Sequence, residues 1–200
     1  MLTEQEGEIA VKLARKAIEE CLGNGKKIKP EDLPYVFREK RGVFVTLNRK
    51  TEKKELRGCI GRPYPLMKLG DAIITSAINA ALEDPRFDPV KKEEIDSIVI
   101  EVTVLTVPEL IKEIPQKIPE KIVIGKHGLI VTTVRSQGLL LPQVAVEHHF
   151  DAVEFLCQTS MKAGLMPDAW LTGAQVYSFE GQIFEELRPG GEIREKLLTL

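Results

Sequence analysis

The chain has little of what usually announces a function. Its 200 residues hold three histidines, one tryptophan and only 6% aromatics. Its three cysteines, Cys21, Cys59 and Cys157, are an odd number at wide spacings, and no C-x-x-C occurs. That argues against both a disulfide framework and a structural zinc site. His148 and His149 are adjacent, so on a helix they diverge by about 100° and form no i, i+4 metal pair. No metal or cofactor is expected. No apolar run reaches eighteen residues, so a membrane-spanning helix is not expected. The first residues, Met1 to Glu6, are acidic and polar rather than signal-like, which points to the cytoplasm. The glycine, lysine and serine motifs of nucleotide hydrolysis, dinucleotide binding, zinc proteolysis and serine hydrolysis are all missing. Asparagine is scarce while Lys, Glu and Ile abound, which leans toward a heat-adapted source.

What is present suits a soluble domain with a real core: 43% hydrophobic and 29% charged residues. The formal charge of −2 hides an asymmetry. Residues 26–68 hold 13 Lys/Arg against 5 Asp/Glu, a local +8, and the other residues sum to −10. A basic stretch of this kind serves either as an anion or nucleic-acid contact or as a solvated hairpin.

Thr3-x-x-Glu6 is a capping box and predicts a helix to about Leu22, with Ile9, Leu13, Ala17, Ile18 and Cys21 on its apolar face. Residues 43–47 and 55–60 predict a hairpin with a cationic turn. A helix is expected over 66–82. Residues 97–106, nearly all β-branched, predict a central strand buried on both faces. The proline-rich segment 107–119 reads as a connector with one helical turn near 109–113. Residues 122–124 and 129–134 predict two strands flanking a turn, and 139–141 a short strand. Helices are expected from Pro142 to His149 and, after the Asp151-x-x-Glu154 capping signal, to Ala163. A late strand over 172–184 and a short helix over 192–200 complete the reading. Paired strands without regular β-α-β alternation favour an α+β fold with a largely antiparallel sheet and flanking helices. The expectation is a single domain over 1–200 with a subdomain junction near 107–120, the subdomains being discontinuous.

Four segments carry residue types suited to chemistry. In Leu56-Arg57-Gly58-Cys59-Ile60-Gly61-Arg62, glycines bracket a cysteine with an arginine on each side. Glycines admit a close backbone or ligand, and cations lower a thiol pKa. Cys59 is thus either a thiolate nucleophile or a small buried hydrophobe. Cys21 and Cys157 read as helix-face residues packed in the core. Gly125-Lys126-His127-Gly128 sets a histidine on a turn, as a general base or as part of a plain hairpin. In Asp84-Pro85-Arg86-Phe87, Arg86 could fork onto an anion, pair with Glu83 or cap the preceding helix. Glu147 is a histidine orienter, a base or a surface carboxylate. Trp170 reads as a core plug.

Taken together and in this order, the LRGCIG, DPRF, GKHG and LPQVAVE segments resemble the AMMECR family, named for a human chromosomal region of Alport syndrome, midface hypoplasia and elliptocytosis. The resemblance covers roughly residues 5–185. It implies an α+β fold of two unequal subdomains with a cleft between them, and a basic cellular role without a settled reaction. It implies site residues Arg57, Gly58, Cys59, Gly61, Arg86, His127 and Glu147. Two functional expectations follow. One is a cysteine-dependent enzyme: Cys59 as nucleophile, His127 as base, Glu147 as orienter, with Arg57, Gly58, Gly61 and Arg86 holding an anionic substrate. The alternative is a non-catalytic module binding nucleic acid or another anion through the basic region, in transcription, repair or translation. A protein partner is a third reading, and no membrane partner is expected.

Overall fold

A computed structural model describes residues 1–50 and 54–197. The chain forms two compact units. The first comprises Met1–Leu105 and Gln182–Lys196; the second comprises Thr106–Gly181 together with Leu197.

In the first unit, α1 (Glu4–Asn24) opens on the expected capping box. The Glu6 N–H donates to Thr3 Oγ1 at 3.2 Å, and the Thr3 N–H donates to the Glu6 carboxylate at 2.8 Å. Ala10, Leu13, Ala14, Ala17 and Ile18 form its buried stripe. Helix α2 (Leu69–Leu82) begins three residues later than the pattern predicts. Lys68 bridges Lys40, and the Leu69 N–H bonds the Glu39 carbonyl, which hold the preceding segment extended. The strands are β1 (Val43–Lys50), β2 (Lys54–Arg62) and β3 (Ile98–Leu105), with the C-terminal half of β7 (Gln175–Glu186) and β8 (Ile193–Lys196). Residues 51–53, part of the expected cationic turn, lie outside the described residues.

β1 runs antiparallel to β2 and β3, β3 neighbours β7, and β8 pairs antiparallel with β7. β3 is buried along its whole length, as its β-branched sequence predicts. On one face of β1, Val43, Val45 and Leu47 join α1 and α2 in the core. On the other face lie Phe44, Thr46 and Asn48, all half-buried. The helix expected over 192–200 is instead strand β8 over Ile193–Lys196, with residues 198–200 outside the described set. A turn closed by the Gly191 N–H on the Arg188 carbonyl returns the chain onto β7, and Ile193 then packs on the core.

The register of β1 and β2 shifts between Leu47 and Asn48: Leu47 faces Gly58 and Asn48 faces Leu56, so Arg57 is the extra residue of a bulge. Its guanidinium is buried and bonds Glu94 through both Nε (3.1 Å) and Nη2 (3.0 Å). Glu94 also accepts from Arg49 Nη2 at 2.6 Å and from the Lys91 N–H at 2.9 Å. Hydrogen bonding from Arg57 is the largest cause holding the Glu94 carboxyl down at about 2.

The second unit contains β4 (Glu109–Leu110), a 3-10 helix over Pro115–Lys121, β5 (His127–Thr132), β6 (Gln137–Leu140), α3 (Pro142–Glu147), α4 (Ala152–Lys162) and the N-terminal half of β7. β5 is antiparallel to both β6 and β7, and β4 lies against β7. Residues 122–124 are not the expected strand. Both edges of β5 are already occupied, and the Lys126 and His127 N–H groups turn back onto the Val123 carbonyl. The helical turn expected near 109–113 is β4 instead. The Asp151 capping box and the helix after it form as predicted. Trp170 is buried among Leu129, Val131, Phe155, Leu156 and Val176.

A Cβ on Gly58 would fall on the carbonyl oxygen of Ala80 in α2, and a Cβ on Gly61 would fall on the Phe44 ring. The backbone of α2 cannot yield, whereas the ring can swing. Gly58→Ala is therefore expected to cost about 3 kcal/mol and Gly61→Ala about 1 kcal/mol, read by urea denaturation; equal losses would contradict the packing account. Glu94→Gln leaves Arg57 buried without its anion and should cost on the order of 2 kcal/mol at pH 7. Because the Glu94 pKa is depressed on folding, its stabilisation is complete above the ordinary carboxylate range and is lost as pH falls through about 2. The wild type and the variant should converge in stability over that acid window.

Candidate functional site

The LRGCIG and DPRF segments meet through one carboxylate. Asp84 follows α2, and its side chain is 2% exposed. Its Oδ2 accepts the Cys59 N–H at 2.8 Å. Arg86 closes a fork on it, with Nε to Oδ1 at 2.9 Å and Nη2 to Oδ2 at 2.7 Å, and the Arg86 N–H adds a bond to Oδ1 at 3.1 Å. Arg86 Nη2 also reaches the Cys59 carbonyl at 3.2 Å. The Asp84 carboxyl is held far below the usual range, chiefly by the hydrogen bonds from Arg86. The partner of Arg86 is thus Asp84 rather than Glu83. Phe87 lies between two cations, 5.5 Å from the Arg86 guanidinium and 6.0 Å from that of Arg57.

Cys59 lies within β2 rather than at its end. It faces Thr46 on β1, and Thr46 in turn faces Glu101 on β3. These three side chains form a row on the sheet face opposite α1 and α2. Thr46 Oγ1 donates to Cys59 Sγ at 3.3 Å. Glu101 is buried and paired with Lys196 Nζ at 2.9 Å. Burial pushes the Cys59 thiol pKa up; the Thr46 bond and the Arg86 charge pull it down, while Glu101 and Asp84 push with burial. The thiol is therefore protonated at rest. The flanking cations act less strongly than their sequence positions suggest, because Arg57 is engaged by Glu94 and Arg86 by Asp84.

The other two expected residues belong to the second unit. His127 opens β5 and is half-buried. Its Nδ1 accepts the Val123 N–H at 3.2 Å, so the neutral ring carries its proton on Nε2. Burial is the main cause lowering its pKa, with Glu180 opposing and Lys126 assisting. Glu147 is the last residue of α3 and is exposed. No hydrogen bond joins it to His127 among the described residues. The three cysteines are free. No cluster of three His, Cys, Asp or Glu groups is placed to hold a metal ion among the described residues. No described helix is long and apolar enough to cross a membrane.

Sequence reasoning missed Asp84, Thr46, Glu94 and Glu101. Asp84 had a signal, two residues before Arg86 at a helix end. Thr46 and Glu101 had none, since only strand register places them beside the sulfur.

The chain resembles known proteins along nearly its whole length. A protein of Methanosarcina acetivorans is 59% identical over 200 residues, covering 98% of this chain and 99% of that one. Protein MJ0810 of Methanocaldococcus jannaschii is 54% identical, covering 99% and 98%. The crystal structure of the uncharacterized protein PH0010 from Pyrococcus horikoshii matches with a TM-score of 0.90 at 51% identity, covering 98% of this chain and 99% of that one. The AMMECR1 family model matches residues 11–184, and the chain belongs to that family.

Proposed function

We propose that this protein is a cysteine-dependent enzyme acting on a small anionic substrate, with Cys59 as the nucleophile. The setting of the sulfur carries the reading: a half-buried thiol on a polar sheet face receives a hydrogen bond from Thr46 and lies in the field of Arg86. Asp84 and the Cys59 carbonyl hold Arg86 through Nε and Nη2, which leaves Nη1 for the substrate anion. In the reaction the thiol gives up its proton, Sγ bonds the electrophilic carbon, and the bond to the leaving group breaks. The leaving group departs with that proton. Thr46 and Arg86 stabilise the developing thiolate against burial. Arg57, committed to Glu94, is a positioning residue that fixes the bulge before Gly58. Gly58 and Gly61 keep the strand close to α2 and Phe44.

A second reading, a non-catalytic module binding nucleic acid or another anion, is favoured by a groove of the first unit in which Lys12, Lys16 and Lys29 outnumber Glu31.

Three measurements separate these readings. Alkylation of Cys59 by neutral iodoacetamide should titrate above the ordinary thiol value of about 8.5, and Arg86→Gln should slow it while Glu101→Gln speeds it. Anionic activated esters should acylate Cys59 in preference to Cys21 and Cys157 by intact-mass and peptide analysis, with the adduct lost in Cys59→Ala. Equal labelling of all three sulfurs would remove the enzyme reading. Under the second reading, single-stranded RNA should bind at low salt and weaken by about tenfold or more between 50 and 200 mM salt; no binding at 50 mM would dismiss it.

A further inference from the structure

A groove of about 430 Å³ runs along α1 in the first unit and shares no residue with the Cys59 site. Ile9 and Leu13, one helical turn apart on α1, form its floor together with Ile28 and Leu33. Gly25 takes the left-handed conformation at φ 66°, which ends α1 and lets the segment carrying Ile28 and Leu33 fold back beside it. Leu13 is buried, while Ile9, Ile28 and Leu33 are half-buried and pack on the core of the unit. An apolar floor continuous with the core thus meets solvent here.

The rim is charged. Lys12, Lys16 and Lys29, all exposed, stand against one carboxylate, Glu31. Lys12 is paired with Glu8 at 3.0 Å, whereas Lys16 and Lys29 have no ion pair among the described residues. Lysine stems lie along apolar surface and carry their ammonium groups out to water. The lining therefore offers aliphatic contact below and uncompensated positive charge above. It holds no aromatic ring on which a base could stack.

We propose that this groove binds a free single-chain aliphatic carboxylate, its tail on Ile9, Leu13, Ile28 and Leu33 and its head held by the rim lysines, Lys16 and Lys29 above all. From Ile9 to Lys16 the helix rises about 10 Å, the reach of a medium-length acyl chain rather than of a membrane lipid. The volume lies in the range of small-molecule pockets. The inference rests on the second reading above only in taking this basic region as an anion site. It names the anion, and the aliphatic floor sets it apart from nucleic acid.

The test is a titration of the full chain with hexanoate, octanoate and decanoate below their micelle concentrations, followed by methyl NMR shifts. Saturable shifts should centre on Ile9, Leu13, Ile28 and Leu33, and affinity should rise about two- to fourfold per added CH2. Octanamide, which keeps the tail and loses the charge, should bind at least about fourfold more weakly than octanoate, and octylammonium more weakly still. Lys16→Gln and Lys29→Gln should each weaken octanoate about two- to fivefold and leave octanamide unchanged. Ile28→Gln should weaken both. Thermal melts report folding; if Ile28→Gln unfolds, Ile28→Ala carries the comparison. Shifts centred on methyls outside the groove, octanamide binding as tightly as octanoate, or no gain with chain length would overturn the assignment. An acidic, leucine-bearing peptide that displaces decanoate and binds more tightly would overturn it too, in favour of a protein partner. Single-stranded RNA separates the two claims: RNA binding without saturable decanoate removes this inference alone, and saturable decanoate without RNA binding removes the nucleic-acid reading alone.

Discussion

The candidate site depends on one buried carboxylate. Asp84 accepts hydrogen bonds from the backbone of β2 and from both ends of Arg86, and so joins an edge strand to the loop after α2. An ionised carboxylate this far from water is tolerable only when its lone pairs are filled, and four donated bonds fill them. The same bonds set where Cys59 stands and which edge of Arg86 remains open. Two segments separated by over twenty residues thus behave as one rigid piece. The chemistry proposed for the sulfur is a property of that piece rather than of either motif.

Within LRGCIG the residues after Leu56 answer different demands. Arg57 is the bulge residue and clamps the strand to Glu94. Gly58 makes room for the backbone of α2, and Gly61 for the Phe44 ring. Ile60 packs toward the core. From Arg57 to Gly61, Cys59 is the residue turned to the polar face without a packing reason for its identity. A cysteine at that position, beside Thr46 and across from Glu101, is therefore the residue for which function rather than fit must account.

Much of the fold was legible in the sequence. Capping residues at Thr3 and Asp151, the β-branched run of β3 and the glycine and proline punctuation are local signals, and the α+β class follows from their order. The misreadings arose where tertiary pairing overrode local preference. Residues 193–196 became a strand because β7 offered them an edge, and 122–124 did not because β5 had none left. The site was legible in part. Arg86 and Cys59 stood out by composition, while the neighbours that decide the state of the thiol, Thr46 and Glu101, are joined to it only by register. The expectation that flanking cations would lower its pKa missed that carboxylates distant in sequence had already claimed those cations.

β7 is one twelve-residue strand whose first half completes the second unit and whose second half supplies the first unit with the neighbour of β3. The N-terminal 105 residues therefore leave the ribosome lacking β7 and β8, with one side of β3 open. Residues 106–181, by contrast, emerge as an uninterrupted piece. Chain growth and structural completion run in opposite order: the part translated first is sealed last. Until then its unpaired edge is the portion of the nascent polypeptide most exposed to mispairing.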